Sequence, residues 1–216
     1  MCFSATASFV AGAALSATGA VTLHMSRRRK RARWFAAIPL LFGLQQLVEG
    51  FIWLSFGGYA WLPQAELTIA YSLFSHVLWP MFVPVAVLTL EPMHHRRLAI
   101  QACWSAGVGV ALYLLALLLR FPVVAEVQGG HIAYVSPHFF EIPTMLLYLV
   151  ATCASSMFSS HRSIKVFGWL SLVTFTFAYW IHAATMFSVW CFFAAILSFM
   201  VIFILRSVPL DNTDTA

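Results

Sequence analysis

Glu49, His76 and His182 are the only side chains able to carry charge near neutral pH that sit well inside the apolar stretches of this 216-residue chain. A carboxylate and two imidazoles can supply the three protein ligands of a catalytic zinc, leaving the fourth position to water. Zinc lowers the pKa of that water towards neutrality and so permits hydrolysis. Without a metal, the same trio could relay protons or coordinate a cation. Each residue has polar company on its own helix face. Gln45 precedes Glu49 by four residues, Ser72 precedes His76 by four, and Tyr179 and Thr185 flank His182 at a spacing of three. The plainer alternative stays open: a buried Glu hydrogen-bonded to a Gln or Trp of a neighbouring helix, and buried neutral histidines that only pack.

The elements that position these residues follow from composition. Hydrophobic residues make up 62% of the chain, charged residues 9%, and mean hydropathy is +0.87. A soluble domain has roughly a quarter of its residues charged, so the solvent here is lipid. At about 20 apolar residues per span, seven segments are expected, over 3–24, 35–57, 66–90, 98–119, 139–158, 166–186 and 188–207. The expected fold is an all-α, seven-transmembrane-helix bundle over residues 1–207 with a short tail at 208–216. Basic residues follow the first apolar run instead of preceding it, so Met1–Met25 reads as a retained helix and not as a cleavable signal.

Charge asymmetry sets the expected orientation. Six basic residues between Arg27 and Arg33 place that loop in the cytoplasm by the positive-inside rule. The amino terminus is then outside and the carboxyl terminus inside, and eleven of the twelve Lys and Arg residues fall inside, leaving Arg120 outside. Contact with anionic lipid heads accounts for the basic loop, so no nucleic-acid partner is expected. The expected location is a bacterial inner (plasma) membrane. Two β-prone runs around Gly129-Gly130 predict a short outer hairpin between the fourth and fifth helices, either a connector or a lid.

At about 1.5 Å per residue, Glu49 lies roughly 12 Å, His76 roughly 15 Å and His182 roughly 7 Å from the outer surface. All three therefore fall in the outer half. Cys2 and Cys191 also lie near outer helix ends. An oxidising exterior would allow a disulfide between them; alternatively, removal of Met1 would leave the Cys2 amine and thiol as metal ligands. Either thiol can equally be a small apolar residue, as Cys103 and Cys153 are read here. His138 and Glu141 share a helix face at the outer surface. Trp79 and Trp180, beside the histidines, are expected to wall the polar pocket. Pro80 and Pro84 follow His76 on one face, which is expected to point inward.

The stretches Met1-Cys-Phe-Ser-Ala-Thr-Ala-Ser-Phe9, Gln45-Gln-Leu-Val-Glu-Gly50 and Ser188-Val-Trp-Cys-Phe-Phe193 resemble a family of small bacterial multi-pass membrane proteins of uncharacterised activity. That resemblance implies topology and no chemistry. The architecture is more loosely similar to the seven-span hydrolases that include alkaline ceramidases and progestin/adipoQ receptors, which hold zinc with several histidines. This chain departs from them: its seventh span has no H-x-x-x-H, and no Asp lies in any span. Retinal chemistry is excluded, because Lys30 and Lys165 both fall in loops.

Three readings follow. The first is a metal-dependent hydrolase with Glu49, His76 and His182 as zinc ligands and catalytic groups, supported by Gln45, Ser72, Tyr179, Cys2 and Cys191. It would act on a lipid or amphiphile entering an outward-facing polar pocket. The second is a proton- or ion-coupled transporter or sensor, which needs a polar route to the inner side. The inner halves offer little for it beyond Gln101, Ser105, Thr152 and Ser155, which counts against transport. The third is a haem protein with His76 and His182 as axial ligands.

Overall fold

In lipid every backbone N–H and C=O must be paired within the protein, which leaves an apolar chain little choice but helices. The computed structural model describes residues 4–58, 62–136, 142–181 and 185–208, the side chain of Phe187 excepted. Helix α1 (Ala5–Met25) begins where the Ser4 hydroxyl accepts from the Ala7 N–H at 3.2 Å. A 3-10 turn (Lys30–Ala32) and α2 (Arg33–Ala36) lead into α3 (Ile38–Phe56). Next, α4 (Gln64–Ser72), a π-helical segment (Leu73–Leu78) and α5 (Trp79–Leu90) run on as one rod, followed by α6 (His94–Arg120). Strands β1 (Val124–Gln128) and β2 (His131–Val135) pair antiparallel across Gly129 and Gly130, whose φ values of +58° and +78° suit a two-residue hairpin turn. A second rod consists of α7 (Ile142–Leu149), a π-helical segment (Val150–Ala154) and α8 (Ser155–Met157). Then come α9 (Arg162–Ile181), α10 (Met186–Leu197) and α11 (Met200–Ser207).

Among the described residues, five helical stretches are long and apolar enough to cross a membrane, and the pair bent by 42° near residues 198–199 would make a sixth. The remaining expected span is the shorter apolar helix Ile142–Met157; the residues before it, 137–141, lie outside the described set. Burial is the inverse of a soluble protein's. Trp180 and Leu119 are 85% and 81% exposed, whereas Gln45, Gln46, Glu49, Ser72, Ser75 and His76 have no exposed surface. Large apolar side chains cover much of the outside, and the buried polar ones gather inside beside an apolar core that includes Phe35, Ile38 and Ile52, as lipid requires.

The basic loops share one end of the bundle, and hydrogen bonds join them in series. Arg29 donates to the Leu205 carbonyl, Ser207 and Ser163 hydroxyls pair at 2.9 Å, and Arg96 donates to the Phe158 and Ser159 carbonyls at 3.1 Å. The hairpin lies beyond the far end of α6.

Close helix contacts rest on missing side chains. α1 packs along α3, and a Cβ at Gly19 would lie 2.5 Å from the backbone nitrogen of Leu40. The Thr22 hydroxyl closes the same seam by donating to the Ala36 carbonyl at 2.7 Å. Against α5 the reason is sharper. Pro84 has no N–H, so it leaves the Pro80 carbonyl without its helical partner. Gly107 of α6 presses against that carbonyl: a Cβ there would sit 2.0 Å from the oxygen. Gly107→Ala is therefore expected to destabilise the detergent-solubilised protein by about 1–3 kcal/mol, read as a lowered thermal midpoint. Gly109→Ala on the same helix meets open space and is expected to leave the midpoint unchanged or raise it. Equal midpoints for the two variants would refute the contact.

Candidate functional site

Glu49 has no exposed surface. Ser188, in the first turn of α10, donates its hydroxyl to Glu49 Oε1 at 2.9 Å. That turn is the positive end of the α10 dipole, which favours a carboxylate beside it. One turn along α3, Gln45 Oε1 accepts from Trp79 Nε1 at 2.7 Å, tying α3 to the π-containing rod. Cys191, one turn beyond Ser188, is buried near Gln45, Tyr71 and Glu49. Glu49, Gln45, Tyr71, Ser188 and Cys191 thus form one buried cluster drawn from α3, α4 and α10. Gln46 borders it, with no exposed surface and neither side-chain polar atom hydrogen-bonded among the described residues.

His76 sits in the first π-helical segment. Buried residues on this rod come in adjacent pairs four apart: Tyr71 and Ser72, Ser75 and His76, Trp79 and Pro80, Val83 and Pro84. In a regular helix of 3.6 residues per turn, pairs at that spacing would drift around the rod. The wider π turn takes up the extra residue and keeps them facing inward. His76 Nδ1 lies 3.2 Å from the Ser72 carbonyl and 2.7 Å from the Ser75 hydroxyl. A carbonyl only accepts, so Nδ1 carries the proton and Nε2 presents the lone pair. Ser72 therefore supports His76 through its backbone, while its hydroxyl makes no hydrogen bond among the described residues.

The hairpin covers the Glu49 cluster. His131, Ile132, Ala133 and Tyr134 of β2 are all buried, and β2 packs on α10. Tyr134 stacks on Tyr71 with centroids 4.2 Å apart and planes 7° from parallel. The expected outward-facing pocket is thus a capped core among the described residues.

A line of hydroxyls leads from this core towards the basic end. Thr144, Tyr148, Thr152, Ser155, Ser156 and Ser159 are buried along the second rod and its exit. Tyr148 donates to the Ser75 carbonyl, joining one π segment to the residue two before the start of the other. A cavity of about 40 Å³ lies between, walled mainly by apolar side chains such as Ile38, Phe42, Val83 and Phe167, with Tyr148, Thr152, Ser171 and Cys191 also at its border. It has room for about two or three water molecules. Gln101 and Ser105 turn outward instead, leaving Thr152 and Ser155 as the buried members of the expected inner route.

The line ends at Glu91, a buried acid absent from the sequence-based candidates. Its carboxylate accepts from the Ser159 hydroxyl at 3.1 Å, the Ser160 N–H at 2.6 Å, the Ser160 hydroxyl and the Met93 N–H at 3.2 Å. Burial pushes its pKa up, but the bonds from Ser160, Met93 and Ser159 outweigh burial and hold it below the usual carboxylate range. A sequence signal existed: an acid at a helix C-terminus opposes the dipole and needs donors.

Of the other expected site residues, Tyr179 is turned outward and 48% exposed, stacking on Phe175. Trp79 walls the core, but Trp180 faces away from it. Cys191 carries a free thiol. Cys2, His138, Glu141 and His182 lie outside the described residues. Among the described residues, no three His, Cys, Asp or Glu side chains gather to hold a metal.

The fold and site define an all-α membrane protein with a capped, polar, carboxylate-bearing core. Residues 1–215 match a family described as a family of unknown function (DUF6629), and the chain belongs to it. No curated protein and no solved structure matches.

Two outcomes test this geometry. In a Cys2→Ser background, Tyr134→Ala is expected to make Cys191 react with a maleimide that leaves the parent unlabelled; no labelling would refute the cap. Glu91→Gln is expected to cost about 2 kcal/mol, since hydrogen bonds to a charged group contribute roughly 1.5–3 kcal/mol each. Because the Glu91 pKa is depressed on folding, its contribution is full above the ordinary carboxylate pKa and disappears as pH falls through the folded value. The stability gap between wild type and Glu91→Gln should therefore close in acid.

Proposed function

We propose that this is a seven-span protein of a bacterial plasma membrane, with its basic end in the cytoplasm, in which Glu49 takes up and releases protons as part of a proton-coupled carrier or sensor. The observation that carries this reading is the continuity of buried polar groups on both sides of a hydrated-size cavity. Glu49 adjoins Cys191, which borders the cavity with Tyr148 and Thr152. Ser155 and Ser159 continue the line to Glu91. Successive residues four apart on a rod are about 6 Å apart along its axis, longer than a hydrogen bond of about 2.7–3.2 Å. Protons would need bridging water, and the cavity is large enough to hold it. The orphaned amide of Gln46 is a further polar group that water would satisfy.

A second reading is favoured by the His76 tautomer. With the proton held on Nδ1 by a backbone carbonyl, Nε2 is oriented as a metal ligand would be. In that reading Glu49, His76 and His182 hold zinc, and the protein hydrolyses a lipid or amphiphile from the outer leaflet.

One experiment separates them. Purified protein in liposomes loaded with a pH-sensitive dye, driven by a potassium gradient and valinomycin, should acidify or alkalinise the lumen. Glu49→Gln should lose that flux, and Thr152→Val should reduce it at least several-fold. No flux, together with one zinc per chain that is lost in His182→Ala, would overturn the first reading in favour of the second.

A further inference from the structure

At the basic end, an open cleft of about 500 Å³ separates the last turn of α1 from the start of α2, and Ala20, Leu23, His24, Arg27 and Arg33 form its wall. We propose that this cleft binds the phosphodiester of an anionic glycerophospholipid. Arg33 Nη2 donates to the Arg27 carbonyl at 2.9 Å, which spends one of its five donors and holds its guanidinium at the rim. Arg27 stands two residues beyond the end of α1, in the turn where its N–H donates to the His24 carbonyl at 3.2 Å. No acidic side chain borders the cleft. The α1 carboxyl end offers carbonyls and not N–H groups, so an anion there must be held by the arginines. Their planar forks suit phosphate oxygens.

The floor distinguishes a lipid from a free anion. Leu23 lies about one turn and Ala20 about two turns deeper than Arg27, and they place apolar surface beneath the cationic rim. Next to them Val21 is 51% exposed to what would be acyl chains. A head of negative charge above a hydrocarbon stem matches that order. The cytoplasmic leaflet, where the proposed orientation puts the cleft, is where anionic lipids concentrate. The other arginines of the loop are not equivalent: Arg29 is engaged with the Leu205 carbonyl of α11.

This proposal shares the orientation of the proposed function but not its proton chemistry, and it is read by binding instead of flux. Thermal unfolding of the full chain in neutral detergent would be followed during titration with phosphatidylglycerol, phosphatidylcholine or inorganic phosphate at constant ionic strength. Phosphatidylglycerol is expected to raise the midpoint by several degrees and the other two to leave it unchanged. Arg27→Gln with Arg33→Gln should lose the shift. Arg28→Gln with Lys30→Gln removes the same charge outside the cleft and should keep it. Equal shifts from phosphatidylcholine or from inorganic phosphate would overturn the proposal, as would equal loss in the two double variants. If the cleft variant does not fold, native mass spectrometry of the wild-type protein decides. Retained phosphatidylglycerol without retained phosphatidylcholine supports the site, and equal retention overturns it.

Discussion

A carboxylate at bilayer depth has no water to solvate it, so its partners must come from the protein itself. Glu49 meets that constraint by drawing three separated parts of the chain to one place. Ser188 of α10 donates a hydroxyl to Glu49, Cys191 is buried nearby one turn further, and Gln45, one turn along α3, links through Trp79 to the π-containing rod. Removing any of these leaves a buried polar group exposed to hydrocarbon, where an unmade hydrogen bond costs most. The contact between α10 and α3 at the core therefore follows from the need to satisfy one side chain as much as from apolar packing.

The two π-helical segments follow from the same constraint. Each of the rods 64–90 and 142–157 carries more inward-facing polar residues than a regular helix could keep on one side. A locally widened turn holds His76 and Ser75 inward in one, and Thr152 inward in the other. Tyr148 then bridges the rods to the Ser75 carbonyl. Pro80 and Pro84 add to this irregularity, and Gly107 shields the carbonyl that Pro84 leaves open.

Position along the bundle was legible in the sequence for Glu49 and Cys191, but rotation about the helix axis was not. Counting residues from loop charges put Glu49 and Cys191 at the same end, and the structure brings them into one cluster. The same count could not tell that Tyr179, Trp180, Gln101 and Ser105 point outward, because apolar residues surround these helices on every side and leave little amphipathic pattern. Ser188 and Tyr71 escaped notice because hydroxyls are unremarkable in an apolar helix until a carboxylate meets them. Glu91 escaped notice because it stands one residue beyond an apolar run, where acids are ordinarily solvated. The hairpin was readable from Gly129-Gly130. Its seating over the core was not, since that depends on Tyr134 reaching Tyr71 across a long sequence separation.

The two ends of the bundle are held by different kinds of force. At the basic end, Glu91, Arg96, Arg97 and Arg29 join loops through directional hydrogen bonds to backbone and hydroxyl groups. At the other end, the hairpin meets the core through the buried side chains of β2 and the stack of Tyr134 on Tyr71. The basic end is therefore knit by bonds of fixed direction, and the hairpin end by packed surfaces. A substitution in a basic-end loop would break named bonds, whereas one in β2 would open packed surface over the core.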